Sequence, residues 1–394
     1  MLNVLPKLCS FKDFGVIYRL MVQFRFCLEK ETAEGRVGSL ETPHGKALTP
    51  LFMPVGSHGS VKALSPRELE ELCVEVVLAN AYHLYLRPGV EVIRDLGGLH
   101  AFMGWKGPIL TDSGGYQIFS LCKLVRLMPE GVEFRSHLDG SLHLFTPERA
   151  IEVQEALGAD IIMSLDVCLP YPSEKGRVQE AVELTTRWAR RGKGARKGKA
   201  ALFGIVQGGV FLDLRRKSAE ALMEMGFDGY ALGGLSVGEE KRQTWEVVEF
   251  TCGLLPQDQP RYLMGMGTPE DLVEGVRRGV DMFDCVLPTR CARTGELFTP
   301  WGKMNIKNAR YARDPDPIDP GCDCYTCRHF SRAYLRHLFM ARELLAYYLN
   351  TIHNLHYYLK LMREIRRALQ EDRFEEFRRE FYRLREEGAT EVAP

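Results

Sequence analysis

Ile161-Ile162-Met163-Ser164-Leu165-Asp166 and Leu202-Phe203-Gly204-Ile205-Val206-Gln207 decide the fold. Each is a short apolar run that stops on a polar side chain, with a helical segment after it. The pattern recurs along the chain. Val76 to Ala79 stops at Asn80, Pro108 to Thr111 at Asp112, and Tyr230 to Leu232 at Gly233-Gly234. Tyr262 to Met264 stops at Gly265, and Met282-Phe283 at Asp284. Continuous apolar strands of this length are buried on both faces, as in parallel sheets. The helices between them carry start signals. Ser65-Pro66-Arg67-Glu68 reads as a capping box with proline in the first turn, and Thr146-Pro147-Glu148 and Thr268-Pro269-Glu270 repeat the motif. Leu212 to Gly226 and Lys241 to Leu255 read as amphipathic helices. Seven or eight such units predict an α/β chain folded as a (β/α)8 TIM barrel, whose functional groups sit at the carboxyl ends of strands. A doubly wound open sheet is disfavoured, because no Gly-x-Gly-x-x-Gly opens a first helix and no Walker lysine loop is present.

The rhythm stops at Thr299. Prolines cluster at 315, 317 and 320, and Cys322-Asp323-Cys324-Tyr325-Thr326-Cys327 follows. Three thiolates in six residues close on one ion, with Gly321 permitting the tight turn. The fourth ligand is sought among His329, His337, His353 and His356, with His353 preferred, since closing a tetrahedron from His329 is awkward. A Cys3His set leaves no position for water, so the expectation is one structural Zn2+ per subunit. The expected divisions are residues 1–20 as an extension or a mis-called start, 21–298 as the barrel, 299–353 as a zinc-binding insertion, and 354–394 as the last barrel helix and a charged tail.

Bulk composition excludes several classes. The chain has 394 residues, 45% hydrophobic and 26% charged, the profile of a globular protein with a large core. Lys+Arg and Asp+Glu both number 52, so nucleic-acid binding has to come from local patches. Eleven cysteines without a disulfide framework argue for a reduced, cytoplasmic protein. No apolar run reaches transmembrane length, and residues 1–20 lack a signal-peptide core. The basic run from Arg187 to Lys199 reads as a solvated helix end and loop.

Asp112, Asp166 and Asp284 at strand ends make a catalytic arrangement jointly, although each alone is as readily a helix cap or a core ion pair. Asp112 opens Ser113-Gly114-Gly115-Tyr116-Gln117, where glycines allow close backbone approach and Tyr116 offers a stacking face. Gln207-Gly208-Gly209 and Gly233-Gly234-Leu235 supply an amide and backbone groups suited to the edge of a planar heterocycle.

Together these motifs resemble the bacterial-type tRNA-guanine transglycosylases over about residues 24–369. The resemblance rests on Thr42-Pro43-His44-Gly45, Phe52-Met53-Pro54-Val55-Gly56, Ala79-Asn80-Ala81-Tyr82-His83-Leu84, the Asp112 and Asp166 segments, Ile205-Val206-Gln207-Gly208-Gly209, Gly233-Gly234-Leu235, Tyr262-Leu263-Met264-Gly265, the Asp284 strand and the cysteine cluster. The family exchanges the wobble guanine of the tRNAs for Asp, Asn, His and Tyr, in a U-G-U context, for 7-aminomethyl-7-deazaguanine (preQ1). The resemblance implies Asp284 as nucleophile and Asp112 as general acid/base. It implies Asp166, Gln207, Gly234, Leu235 and Ser113 as base-binding residues, with Tyr116 and Met264 sandwiching the base. Arg290, Arg293, Lys62 and Lys303, with Lys307 and Arg310, are expected to hold tRNA. Val237 and Cys168, where users of the larger base queuine carry glycine and valine, imply the small base. A homodimer is implied as well. The rival readings are a zinc hydrolase, which lacks the His-x-His usual on a first strand, and a non-catalytic tRNA-binding subunit, which would not keep both Asp284 and Asp112. Archaeosine-type relatives add carboxyl-terminal RNA-binding domains for which this chain is expected to be too short.

Overall fold

The computed structural model describes residues 23–122 and 124–391. The expectation for residues 1–20 lies outside that range.

Eight parallel strands form the barrel in sequence order: Leu51–Pro54, Val77–Ala79, Ile109–Thr111, Ile161–Met163, Ala201–Val206, Gly229–Leu232, Arg261–Leu263 and Met282–Cys285. The eighth strand pairs with the first, Met282 opposite Leu51. A parallel bridge from Val55 to Leu78 closes the ring between first and second. The sheet is therefore the (β/α)8 barrel that the repeated runs predict.

Pleat parity then sorts the side chains, because alternate residues of a strand face opposite sides. One core cluster unites Leu51, Met53, Val55, Leu78, Leu110, Ile161, Met163, Ala201, Phe203, Ile205, Ala231, Tyr262 and Met282. These alternate residues fill the barrel interior. Their neighbours Phe52, Val77, Ile109, Ile162, Leu202, Tyr230, Leu263 and Phe283 pack outward with the surrounding helices. Continuing the inward parity past the strand ends reaches Asn80, Asp112, Gln207, Met264 and Asp284. The same alternation that fills the core with methyl groups delivers four polar groups and Met264 to one mouth.

The three marked helix starts are present. Ser65 N–H donates to Glu68 Oε2 at 2.8 Å ahead of Pro66–Glu71. Thr146 Oγ1 accepts from Arg149 N ahead of Pro147–Leu157. Thr268 and Asp271 make a reciprocal capping box ahead of Pro269–Arg277. Each cap satisfies amides that a first helical turn leaves orphaned. The amphipathic segments are the helices Leu212–Met225 and Lys241–Leu254. The basic run ends the helix Lys175–Ala195. There Arg191 pairs with Glu148, Arg196 with Asp228, and Lys193 reaches the Met225 and Gly226 carbonyls.

Three features depart from a plain barrel. An antiparallel sheet of Arg25–Thr32, Gly35–Thr42 and Gly45–Thr49 plugs the amino-terminal end, where Leu40 and Ala47 join the interior core. Its buried Arg36 forms a two-pronged pair with Asp281, both contacts at 3.0 Å. A meander of Val125–Met128, Gly131–Arg135 and Leu142–Phe145 follows the third barrel strand. Finally, the last barrel helix is Leu344–Gln370. The boundary expected at residue 353 falls inside it, because its apolar face already begins at Ala346 and Leu349. A hairpin, Glu296–Thr299 with Gly302–Asn305, and the short helices Tyr325–His329 and Arg332–Met340 precede it. No helix among the described residues is long and apolar enough to cross a membrane.

Candidate active site and metal centre

Asp284 ends the eighth strand and is half-buried. Tyr262 O–H donates to its Oδ1 at 2.6 Å, and Gly265 N–H donates to the same oxygen at 2.7 Å. Both donors spend themselves on one oxygen, which leaves Oδ2 as the free lone-pair donor. Burial raises the Asp284 carboxyl, while Tyr262 and Gly265 pull it back down. A poorly solvated carboxylate with one unengaged oxygen is what a carboxylate nucleophile needs.

Asp112, at the end of the third strand, is buried and bonded differently. Asn80 Nδ2 donates to Oδ2, and Ala81 N–H donates to Oδ1 at 2.9 Å. Burial pushes this carboxyl up to about 6 against those two donors, and the charge of Asp284 adds to the rise. Two carboxyls in one mouth, held by different donors, suit a division into nucleophile and acid/base.

Asp166 is also buried and pushed up to about 6 by burial. Gln207 Nε2 donates to its Oδ2 at 2.7 Å, and Ser113 Oγ to its Oδ1 at 3.3 Å. Gly234 explains how the amide fits. Its φ is +64°, and a Cβ there would collide with Gln207 Oε1. A Cβ on Gly233 would lie 2.7 Å from Gln207 Nε2. The glycine pair therefore leaves the Gln207 amide room to lie across the strand ends. Beyond it, the Glu239 carboxylate accepts from Ser236 N–H and Val237 N–H. A planar peptide points N–H and C=O in opposite directions, so the Leu235 carbonyl faces away from Glu239.

Arg215 underpins this wall. It is fully buried, and its guanidinium donates to the carbonyls of Gly209, Val206 and Gly233 at 2.8–2.9 Å. Burial lowers it to about 10, still charged at neutral pH. Sequence reasoning missed Arg215, Asn80, Tyr262 and Glu239 as parts of the site. Strand parity could have found Asn80 and Tyr262. Nothing in the amphipathic pattern of Leu212–Met225 marks Arg215.

Tyr116 stands in the turn of helix that follows Asp112 and is 56% exposed, an open ring face. Met264 lies at the end of the seventh strand against the interior core. Cys168 is partly buried, and burial raises its thiol to about 12. Val237 lines an apolar cavity of about 300 Å3 with Leu169, Tyr171, Phe211 and the glycines at 208, 209 and 234. Arg290 and Arg293 are both exposed on Leu287–Thr294, the helix after Asp284. Burial, and then the neighbouring Arg290 charge, lower the Arg293 guanidinium. Lys62 is exposed in the loop after the first strand, and Lys303 lies on the hairpin with its ammonium 5.5 Å over the Phe298 ring.

The cysteine cluster closes on His353. Its Nδ1 lies 3.8, 3.6 and 3.3 Å from the sulfurs of Cys322, Cys324 and Cys327. A tetrahedral zinc with ordinary Zn–S and Zn–N bonds separates sulfur and nitrogen by about 3.6 Å. His353 Nε2 bonds the Phe298 carbonyl at 2.8 Å, which fixes Nδ1 as the ligand atom. The residues fit a four-coordinate metal ion without an open position. His356, the nearest rival, is engaged by Asp323 at 2.9 Å. The ten cysteines of the described residues are all free of disulfides.

A second cluster at the opposite end of the barrel has metal-like composition but the wrong geometry. His44 and His100 approach the two oxygens of Asp160 at 2.6 and 3.2 Å. The rings stack 3.5 Å apart at an angle of 14°. A metal lies in the plane of each imidazole that binds it, and two nearly parallel planes share no nearby point. The carboxylate is a clamp between the plug sheet and the barrel floor.

Comparisons with known proteins agree with this geometry. The family model for queuine tRNA-ribosyltransferase matches residues 30–387. A queuine tRNA-ribosyltransferase of Caldanaerobacter subterraneus subsp. tengcongensis is 57% identical over 362 residues, 91% of this chain and 96% of the relative. One of Thermoanaerobacter sp. is 56% identical over 364 residues, 92% and 97% of the two chains. One of Halothermothrix orenii is 55% identical over 365 residues, 92% and 98%. Those matches take in the barrel, the carboxylates at its mouth and the metal module, so the chain belongs to the queuine tRNA-ribosyltransferase family.

Proposed function

We propose that the protein is a tRNA-guanine transglycosylase of queuosine biosynthesis that exchanges the wobble guanine by double displacement. The observation that carries this is the pair at the mouth: Asp284 with one oxygen free, Asp112 with its carboxyl near 6. Asp284 Oδ2 attacks ribose C1′ as the C1′–N9 bond breaks, and an ester joins enzyme and tRNA. Asp112 gives its proton to the departing guanine and takes one from the incoming base, which then displaces Asp284 from C1′. Asp166 accepts from the guanidine-like edge of the base. Gln207 and the Gly234 N–H donate to its carbonyl, Ser113 steadies Asp166, and Tyr116 and Met264 enclose the ring. The base has to leave the anticodon stack to enter. Arg290, Arg293, Lys62 and Lys303 hold phosphates of the tRNAs for Asp, Asn, His and Tyr in a U-G-U context. Cys322, Cys324, Cys327 and His353 hold one zinc ion, which stabilises the module and takes no part in bond exchange. The working form is a cytoplasmic homodimer.

Asp166 accepts only when ionised, and burial raises its carboxyl to about 6. Base binding should therefore strengthen as pH rises through about 6. Asp112 titrates in the same range, so the profile is a composite of both groups. KM for guanine measured between pH 4.5 and 8 checks this. A profile flat down to pH 4.5 would show that neither carboxyl is raised.

The favoured base is preQ1. Its aminomethyl group suits the Leu235 carbonyl, whereas queuine carries a bulky cyclopentenediol at that point. Val237 occupies volume beside it. Val237→Gly, alone or with Cys168→Val, should improve queuine use relative to preQ1 by about 10-fold, since trimming a few carbons changes discrimination by only about 1–3 kcal/mol. Competition between the two bases on one tRNA is the measurement. Wild-type preference for queuine would overturn the base assignment while leaving the exchange reaction standing.

A further inference from the structure

Four cationic or protonatable side chains gather at the mouth beside Asp112 and take no part in the exchange just described, apart from the general phosphate role given to Lys62. His58 and Lys62 lie in the loop after the first strand, and both are exposed. His83 lies on Ala81–Leu86, the helix whose first amide holds Asp112. His137 is exposed in the meander turn after the third strand. The His58 and His83 rings are 4.5 Å apart, and His83 and His137 are 6.1 Å apart, edge to face. Tyr82 O–H anchors His137 through Nδ1 at 2.7 Å.

Every charge that acts on the two inner rings is positive. Burial, then His58, His137 and Lys62, hold His83 down to about 4. Burial, Lys62 and His137 lower His58. Of the other titratable groups on the packed elements, Asp139 in the turn of His137 is ionised, but its Oδ1 is taken by the Ser141 amide and hydroxyl. Burial raises both Tyr82 and Cys122, and Tyr85 is hydrogen-bonded to His143. Asp112 on the adjoining strand is already engaged by Asn80 and Ala81. Like charges that no carboxylate pairs with directly among the described residues are costly by themselves and favourable around an anion. A nucleotide with C1′ at Asp284 Oδ2 and its base at Asp166 carries a phosphodiester on either side, and the mouth is where these emerge.

We propose that Lys62 and the imidazoles of His58, His83 and His137 form an anion site that takes a phosphodiester flanking the reacting nucleotide, with one imidazole gaining a proton as it binds. The inference rests on the reading of tRNA as substrate. Proton uptake on binding means that tRNA affinity climbs as pH falls.

The test is equilibrium binding of unmodified tRNA to the full-length enzyme over a range of NaCl concentrations at pH 6 and pH 8. Wild type, Lys62→Gln and His58→Gln/His137→Gln are compared, all at exposed positions where folding should persist. Wild-type affinity should rise on going from pH 8 to pH 6 by about tenfold more than that of the double variant. Lys62→Gln should reduce the slope of log affinity against log salt by about 0.7–0.9 at both pH values. A double variant that tracks wild type at both pH values overturns the proposal alone. So does a change in oligomeric mass with the salt slope intact, which would make the cluster a contact between copies. Absence of tRNA binding by wild type overturns the functional reading as well.

Discussion

Asp284→Asn should lower base exchange by about four to six orders of magnitude, the usual cost of deleting a covalent nucleophile. Its tRNA binding should persist. The amide oxygen can take over the two bonds that Oδ1 accepts from Tyr262 and Gly265. The NH2 group then replaces Oδ2, the position from which attack on C1′ is proposed. Shape and local hydrogen bonding survive while the lone pair and the charge are lost. With wild type, a protein–tRNA adduct resistant to denaturation should appear on a gel, and the variant should give none. An adduct of undiminished yield from Asp284→Asn would place the nucleophile elsewhere in the mouth.

Cys324→Ser should release the metal and loosen the module around it. Cys324 and Cys327 are buried, and His353 is fully buried within the last barrel helix. Metal binding at such a site is folding energy, about 10–16 kcal/mol in isolated zinc peptides. The loss here is smaller, because the helix Leu344–Gln370 also packs on the barrel through residues such as Tyr358, whose ring lies 4.9 Å from Phe52. A loss of about 5 kcal/mol in a chain of this size lowers Tm by roughly 6 °C. Exchange activity should fall with it, since Asn354 on that helix donates to the carbonyls of Pro288, in the first turn of the helix carrying Arg290 and Arg293, and Glu296, just beyond its end. Elemental analysis and thermal unfolding check this together. A metal-free variant with unchanged Tm and turnover would contradict a structural role.

How much of this was legible in the sequence depended on whether the physics was local. Seven barrel strands stood out because each apolar run ended on a glycine or a polar residue. The first, Leu51–Pro54, did not, since four residues between prolines carry too little pattern. The meander was missed because its apolar residues are divided: Val132, Phe134 and Phe145 are buried while Leu127, Leu142 and Leu144 face solvent, which blurs the alternation. The last helix starts at Leu344 rather than near Leu355, and its first turns include the metal-module residue His353. Asp112, Asp166, Gln207 and Asp284 do meet at one mouth, as residues at strand ends of one barrel must. The contacts that tune them were not legible. Arg215 reaches two strand ends from a helix, and Tyr262 lies 22 residues from the carboxylate it serves. Such contacts appear only once the barrel has closed.

The central claim is base exchange at one position of tRNA. Purified protein incubated with labelled guanine and unmodified tRNA-Tyr tests it most directly. The account predicts incorporation of one labelled base per tRNA at the wobble position, matched by release of one unlabelled guanine. Incorporation should vanish in Asp284→Asn and in a tRNA whose wobble guanine is replaced. No incorporation by wild type, or equal incorporation into the tRNA lacking that guanine, would contradict the account.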